Sequence, residues 1–487
     1  MNPWGLPEPA FCLVLHAINW YTHEVTLFDP DSRRPISVTI PNPDGPEPPD
    51  HDPEFLVAMR KAMHVLGTHL NDLPPECVAI HANEAGNLLD VCTDPDRDRT
   101  LTCDYYLLDE YHLPPAVSAR TVLRSDLTEV RRLSLGVDLV EYPDGSRAVF
   151  KYTTSHPFSL WAELQMLARL PQHPHLALLD RLVLDELTAS RVVGFTIRYV
   201  AGATLDKDGS VGLFKLKWLK QLLQTVDDLN LRHGITHQDI ARRNLMVDPA
   251  ADSLVLIDFN VACRAGTVKQ GSSNPEGKWG ERDDVKGVLV CLYDYITRDP
   301  TLKDTGEPPF YAYMLQQLDE KDFLDPAKWI KHPDVKLDHD VAEFYFVLMD
   351  WVRKRRAGKP LARYTDAPEH LEWPQLPARD TVALRASKER AAGRPVLEWR
   401  RPLWSKLDPT RRLLATGRYA DEEPPAAASP ASADQTAEAD GFGRTLRSRQ
   451  TTPRKRKTTE GRDLDHAAAT TTAAIGPARK RRLKQLN

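Results

Sequence analysis

Features of membrane and secreted proteins are scarce in this sequence. The longest apolar runs, such as FYFVLM at 344–349, are far too short to cross a bilayer. The first ten residues, MNPWGLPEPA, lack the basic and then apolar order of a signal peptide. We therefore expect an intracellular protein that does not contact membranes.

Cysteine is also sparse, with six residues in a chain of 487. The six are Cys12, Cys77, Cys92, Cys103, Cys263 and Cys291. They form no CxxC pair, and their spacing does not match a disulfide framework. Reduced thiols are expected in an intracellular protein, and a zinc site is the alternative.

Positive charge is unevenly distributed, although the formal net charge is only −5. The segment from Gly441 to the end contains 13 Lys or Arg and three acidic residues, which gives it a net charge of +10. The rest of the chain therefore carries a net charge of −15. Basic runs at 454–457 and 479–484 are typical of nuclear-import signals. We predict a nuclear or cytoplasmic protein with a nuclear-import receptor as a candidate partner; solubilising charge is the alternative. Because aromatic residues do not alternate with these charges, nucleic-acid binding beyond nonspecific tail contacts is not expected.

Composition divides the chain into five predicted regions. Length and an apolar content of 41% allow two or three domains. Residues 1–115 mix strand-like and helix-like patterns without a chemical motif, which predicts an accessory region. Residues 116–200 are rich in strand patterns, 201–357 are mostly helical, and 358–420 hold prolines, tryptophans and a candidate helix. Residues 421–487, dominated by Ala, Pro, Ser and Thr, are predicted to be a disordered tail.

The stretch ITHQDIARRNLMV at 235–247 contains an acid and an amide five residues apart, Asp239 and Asn244. The apolar segment LVLIDFNVA then supplies Asp258, nineteen residues beyond Asp239. Two paired strands would bring these three side chains to one sheet edge. Carboxylate and amide oxygens suit Mg²⁺ bound to phosphates, and a carboxylate not committed to metal can accept a hydroxyl proton.

The pattern HxDxxxxN followed by DF resembles the catalytic and metal-binding loops of protein kinases. Upstream, RAVFKY resembles the strand that carries the phosphate-binding lysine, here Lys151. The family's C helix is resembled by LWAELQMLARLPQHPHL, which contains Glu163, and its hinge between the lobes is resembled by IRYVAGATL. The family helix whose aspartate braces the catalytic loop is resembled by ERDDVKGVLVCLYDYIT, where that aspartate is Asp284. The resemblance covers roughly residues 120–357, and more narrowly it is to fungal-type protein kinase domains.

This resemblance implies an α+β, bilobal fold, with a small β-rich N-lobe carrying one C helix and a larger helical C-lobe. It implies phosphotransfer from ATP and Mg²⁺ to a protein hydroxyl, with serine or threonine expected and tyrosine left open. For catalysis, the resemblance implies Asp239 as general base and Asn244 and Asp258 as magnesium ligands. For nucleotide binding, it implies that Lys151, paired with Glu163, binds the α- and β-phosphates, that Gly136 lies in the phosphate-binding loop, and that the backbone of Arg198, Tyr199 and Val200 contacts the adenine edge. It also implies an apolar stack formed by Phe259, His237 and Leu167.

The glycine-rich loop departs from the family pattern, because only Gly136 remains in LSLGVDLV. Glycines there let backbone N–H groups approach phosphates. A weaker grip on nucleotide is expected, and Asp138 is expected to repel phosphate.

The catalytic loop also departs. Gln238 replaces the arginine before the base, so phosphorylation of the activation loop is not the expected switch. The family lysine two residues after the base is Ala241, and either Arg242 or Arg243 is expected to supply the missing cation. These departures leave two alternatives to an active protein kinase: a pseudokinase scaffold that binds partners without catalysis, and a small-molecule phosphotransferase on a related fold.

Overall fold

The structure is a computed structural model in which nine stretches of the chain are described. They are residues 14–19, 24–41, 53–154, 157–206, 212–267, 282–303, 318–359, 361–378 and 384–422. The basic clusters of the tail and most of the segment between Asp258 and Asp284 lie outside these stretches. Within the described residues, no helix has both the length and the apolar character needed to span a bilayer.

An N-terminal sheet is built from five strands among the described residues. They are β1 (Val14–Asn19), β2 (Glu24–Asp29), β3 (Arg34–Thr39), β4 (Ala79–Ala82) and β5 (Leu88–Cys92). The strands lie in sequence order, and only β3 and β4 pair in parallel. Helix α1 (Pro53–His69) makes the crossover that a parallel pair requires. Helix α1 buries Met63 and Leu66 in one core with Leu27 and Ile36.

A second sheet of six strands follows, preceded by the short helix α2 (Pro115–Ser118). Its strands are β6 (Thr121–Leu123), β7 (Thr128–Ser134), β8 (Val137–Glu141), β9 (Arg147–Tyr152), β10 (Leu179–Leu184) and β11 (Val192–Arg198). Their order is β6-β10-β11-β9-β8-β7. Helix α3 (Phe158–Leu167) connects β9 to β10. Because side chains alternate along a strand, Lys151 faces α3 while Phe150 and Tyr152 face the opposite, outer side.

The next part of the chain is mainly helical. Its helices are α4 (Leu216–Asp227), α5 (Asp284–Thr297), α6 (Pro300–Lys303) and α7 (Val341–Ala357). Its short strands are β12 (Ala203–Thr204), β13 (Ile235–Thr236), β14 (Leu245–Asp248), β15 (Ser253–Leu256) and β16 (Cys263–Arg264). Helix α4 continues as one π-helical turn and ends before Gly234, whose φ of +67° favours glycine.

The predicted α+β, bilobal, kinase-like fold is confirmed. The six-stranded sheet with α3 forms the small lobe, and the helices α4, α5 and α7 form the larger one. A single hydrophobic core runs through both lobes, from Leu164 of α3 to Phe344 of α7. The strands β14 and β15 pair antiparallel, as predicted for the two segments that carry Asn244 and Asp258.

The segment 384–422 returns to the N-terminal part of the molecule. Its helix α8 (Ala386–Ala391) lies in the region 358–420 for which a candidate helix was predicted, and residues 379–383 lie outside the described stretches. Leu403 joins the core of the N-terminal sheet, whereas Trp399 and Ala415 cover the outer face of the six-stranded sheet. This placement joins the two sheets and could not be read from the sequence. The division into five regions stays a prediction.

Candidate active site

Lys151 lies at the centre of the cleft between the lobes. Its Nζ is 2.5 Å from Glu163 Oε1 and 2.7 Å from Asp258 Oδ1. Burial by itself would lower the pKa of Lys151, but the two carboxylates outweigh it, so the pKa is raised and the amine stays charged. A strand of one lobe thus holds a cation that pairs with an acid from α3 and an acid from the other lobe.

Glu163 is buried rather than facing water, the alternative open to a helix carboxylate. It accepts a second hydrogen bond from the backbone N–H of Phe259 at 3.2 Å. Burial raises the pKa of Glu163 above its ordinary value, against the opposing effect of Lys151. The position of α3 is therefore coupled both to the lysine and to the loop that follows Asp258.

Asp258 itself has a left-handed backbone, with φ of +67°. For a residue other than glycine this conformation is uncommon and is found often at functional sites. Burial would raise the pKa of Asp258, but the charge of Lys151 dominates and lowers it. The carboxylate is therefore ionised at neutral pH and paired with Lys151.

Asp284, at the start of α5, braces the candidate catalytic loop, residues 237–244. Its carboxylate accepts the backbone N–H groups of His237 and Gln238, both at 2.7 Å, and the side-chain amide of Asn230 at 2.7 Å. Gln238 has a φ of +64°, and these bonds hold that conformation. The bracing role that the resemblance implied for Asp284 is present in the geometry.

His237 links the catalytic loop to the loop of Asp258. Its Nε2 lies 3.1 Å from the Ile257 carbonyl, and its ring meets that of Phe259 edge to face at 4.8 Å. Both residues are buried, and Leu167 lies in the same core as Phe259. The histidine is a structural link between the two loops, and its contact with Phe259 agrees with the apolar stack that the resemblance implied.

Asp239 and Asn244 are in direct contact. The Asn244 amide nitrogen donates at 2.8 Å to both the backbone oxygen and Oδ2 of Asp239. Both amide hydrogens are therefore used, and the Asn244 side-chain oxygen is the atom left for a cation. Among the described residues no group of three or more His, Cys, Asp or Glu side chains could hold a metal alone. The donor set fits Mg²⁺ that also binds phosphate oxygens.

The structure distinguishes the two candidate arginines of the loop. Arg243 Nη2 lies 2.6 Å from each carboxylate oxygen of Asp239. Arg242 points elsewhere, to the Leu205 carbonyl and to Asp294 at 3.2 Å. Arg243 is therefore the cation beside Asp239, and Arg282, which sequence reasoning missed, adds a second at 3.8 Å.

The predicted adenine-binding residues lie at the end of β11. The Arg198 backbone N–H already donates to the Leu178 carbonyl at 3.1 Å, and its exposed side chain lies 3.7 Å from Asp248. Val200 is buried. Adenine contact by the backbone of Arg198, Tyr199 and Val200 stays a prediction, with the N–H of Arg198 already in use.

Gly136 occupies a two-residue turn between β7 and β8, with φ of +68°. The Tyr152 N–H donates to the Gly136 carbonyl at 2.9 Å. A Cβ at Gly136 would lie 2.6 Å from the Tyr152 carbonyl oxygen, closer than side-chain atoms come. Close packing against the strand of Lys151 therefore explains this glycine, and its contact with ATP stays a prediction.

The expectation that Asp138 repels phosphate is wrong. Asp138 is fully buried on the outer face of the sheet, opposite to Lys151, where it pairs with Arg33. Strand alternation after the turn decides this, because Val137 and not Asp138 is in register with Lys151.

The fold and the site together define a kinase-like protein. Residues 153–265, roughly a quarter of the chain, match the model of the phosphotransferase enzyme family (APH). The matched range includes Glu163, Asp239, Asn244 and Asp258. The match indicates a kinase-like phosphotransferase and does not determine whether the acceptor is a protein or a small molecule. No curated protein matches the chain significantly.

Proposed function

We propose that this chain transfers the γ-phosphoryl group of ATP to a protein hydroxyl, with serine or threonine as the expected acceptor. The proposal is supported by two contacts, Lys151 Nζ to Asp258 Oδ1 at 2.7 Å and the Asn244 amide to Asp239 Oδ2 at 2.8 Å. The backbone N–H of Ile257, next to Asp258, donates to the Asn244 carbonyl at 3.0 Å and connects the two pairs. Phosphoryl transfer depends mainly on positioned cations and ligands, and the cleft contains groups of both kinds.

The reaction would use the side chains as follows. The acceptor oxygen attacks the γ-phosphorus, the bond to the β-phosphate oxygen breaks, and the hydroxyl proton passes to Asp239. ADP carries away the bonding electron pair. Arg243, held 2.6 Å from Asp239, lies where it offsets negative charge beside the acceptor.

Nucleotide binding would rest on Lys151 and the two oxygen ligands. Lys151 would bind the α- and β-phosphates while Glu163, 2.5 Å away, fixes the amine. Asp258 and Asn244 would hold Mg²⁺, which when bound neutralises part of the phosphate charge. Beside Glu163 and Asp258 the pKa of Lys151 is raised, so the amine is a cation before nucleotide binds.

A protein acceptor is favoured by the brace of the catalytic loop. Asp284 fixes two consecutive backbone N–H groups of that loop from a helix of the larger lobe. A small-molecule acceptor is the second candidate, and the match of residues 153–265 to a phosphotransferase family favours it. The pseudokinase alternative is favoured by the sequence around Gly136, which lacks the other glycines of the kinase phosphate-binding loop.

One experiment tests these three candidates together. The purified full chain is incubated with γ-labelled ATP and Mg²⁺, separately with a generic unstructured protein and with a panel of small alcohols, amino alcohols and sugars. We expect label in the protein, and an approximately hundredfold lower rate for Asp239→Asn. Label only in small molecules would favour the second candidate. Binding of ATP without transfer to any acceptor would favour the pseudokinase.

The cellular setting is a separate proposal. We propose nuclear import through the basic clusters at 454–457 and 479–484, which lie outside the described residues. A fluorescent fusion should be nuclear, and replacing the Lys and Arg of both clusters with Gln should make it cytoplasmic. A fusion whose distribution does not change would refute import by these clusters.

A further inference from the structure

A cluster of four buried charges lies on the outer face of the six-stranded sheet, away from the cleft. Arg33 Nη2 is 3.1 Å from Glu129 Oε2 and also pairs with Asp138. Arg401 pairs with Glu129 and lies 3.6 Å from Asp138. All four side chains are at most 2% exposed, so the ion pairs are shielded from water.

Three distant parts of the chain supply this cluster. Arg33 comes from the turn between β2 and β3, the two acids come from β7 and β8, and Arg401 comes from the C-terminal segment. Backbone groups add to the connection: Arg33 donates to the Ala415 carbonyl at 2.9 Å, and Arg401 Nε donates to the Asp31 carbonyl at 2.7 Å. The N-terminal sheet and the C-terminal segment therefore hold the small lobe through the same two acids.

The cluster contacts β9, the strand that carries Lys151, directly. The Arg33 guanidinium lies over the ring of Tyr152, 4.6 Å from its centroid, and Trp399 stacks on the same ring at 4.8 Å. Tyr152 follows Lys151 in β9, and its N–H binds the Gly136 carbonyl. Arg33 thus contacts the strand that carries the lysine and, through Asp138, the strand that leaves the turn.

Stability alone does not require charges at these positions. Removing four charges from water is costly, and well-packed apolar side chains of similar size often give equal or greater stability. What buried ion pairs add is a specific geometry, because each arginine satisfies its partners only in one arrangement. The fixed geometry of these ion pairs acts on the turn at Gly136, which has only one of the glycines that bind phosphates in protein kinases.

We propose that Arg33 and Arg401 are positioning residues for nucleotide binding. They hold the turn at Gly136 and the strand of Lys151 from the outer face, so the N-terminal sheet and the C-terminal segment support the ATP site without contacting the nucleotide. This inference rests on the proposed function. It assigns a role in phosphotransfer to residues outside the kinase-like core.

The first test compares wild type, Arg33→Gln and the control Arg97→Gln. Arg97 is in the same N-terminal region and pairs with Glu24 at 3.1 Å, away from the small lobe. Calorimetry would measure binding of Mg²⁺ with a non-hydrolysable ATP analogue, and kinetics would measure KM for ATP and for the acceptor. For Arg33→Gln we expect nucleotide affinity to fall about tenfold or more, with the acceptor KM unchanged. The control should match wild type.

Two further variants separate positioning from folding. Arg33→Gln with Asp138→Asn removes one charge of each sign, so thermal stability should recover relative to Arg33→Gln while nucleotide affinity stays low. Arg33→Lys keeps the charge without the planar fork, and it should fold well with an intermediate affinity. It also allows the test if Arg33→Gln does not fold.

The outcomes distinguish this inference from the proposed function. If Arg33→Gln and Arg33→Lys melt at lower temperatures but bind nucleotide as wild type does, the cluster is only structural and the inference is wrong. If nucleotide affinity recovers together with thermal stability in the double variant Arg33→Gln with Asp138→Asn, the cluster is likewise only structural and the inference is wrong. If wild type itself neither binds ATP nor transfers phosphate, the proposed function fails and the inference falls with it.

Discussion

Lys151 and Asp258 form an ion pair of 2.7 Å across the cleft, between the small lobe and the larger lobe. The same lysine pairs with Glu163 at 2.5 Å, so three charged groups from distant parts of the chain meet at one atom. Since the cation serves two acids, replacing it leaves the buried Glu163 and the half-buried Asp258 without their cationic partner. The lysine is therefore the residue whose loss should affect binding most directly.

Replacing Lys151 with Met should abolish detectable stabilisation of the protein by ATP and lower kcat/KM about a hundredfold or more, because a fixed cation for the phosphates is lost. The matched control is Lys217→Met on the exposed side of α4, where the side chain pairs only with Asp252 in the described residues. Thermal melting with and without Mg²⁺-ATP measures the first effect. An ATP-dependent shift of the same size in both variants would contradict the assigned role of Lys151.

Asp284→Asn should lower the rate of phosphotransfer and destabilise the fold by about 1–3 kcal/mol, since an amide cannot accept both backbone N–H groups as well as a carboxylate does. The adjacent Asp283 caps the same helix by accepting the N–H of Val285 at 2.8 Å. Asparagine caps helices equally well, so Asp283→Asn should change little. Urea unfolding and initial rates measured on both variants would test the contrast; equal effects would remove the distinct role of Asp284.

Gly136→Ala and Gly145→Ala form a matched pair of turn variants. Both glycines have positive φ, +68° and +82°, so both substitutions carry a strain of about 1 kcal/mol. Only at Gly136 would the new Cβ lie within 2.6 Å of a backbone oxygen, whereas Gly145 has nothing within 4 Å. Gly136→Ala should therefore lose more stability in chemical denaturation and also bind ATP more weakly. Identical losses would show that strain alone matters.

Asp185 should make a pH-dependent contribution to stability. Its carboxylate accepts bonds from Arg191 at 2.9 Å and the Thr188 hydroxyl at 2.8 Å. Burial alone would raise the pKa of Asp185, but these bonds outweigh it and hold the pKa well below 3.8. Because the folded pKa is the lower one, the contribution is present above the unfolded pKa and is lost as pH falls through the folded value.

Asp185→Asn should therefore be about 2 kcal/mol less stable than wild type at pH 7, with the difference shrinking below about pH 4. Urea titrations at several pH values measure this, with the exposed Glu84→Gln as control. A difference that stays constant down to pH 2 would contradict the role of ionised Asp185.

Much of the local structure follows from short-range patterns. Strand patterns were predicted to dominate residues 116–200, where β6 to β11 lie, and helical patterns to dominate 201–357, where α4 to α7 lie. The strand β5 was missed, because its residues Leu88–Cys92 do not alternate between buried and exposed positions. The candidate site residues could be named because motif order reflects chain topology: Lys151 lies in β9, Glu163 lies in α3, and the other three lie in loops next to short strands.

The amino-acid sequence by itself indicated the kinase-like fold and the candidate set of Lys151, Glu163, Asp239, Asn244 and Asp258, because the resemblance to protein kinases rests on the order and spacing of motifs along the chain. Only the tertiary structure decided that Asp138 faces away from the cleft, that Arg243 rather than Arg242 binds Asp239, and that Arg33 and Arg401 meet on the small lobe. Arg33 and Asp138 are 105 residues apart. A contact over such a separation leaves no periodic signal in the sequence, since it is selected by the packing of whole elements.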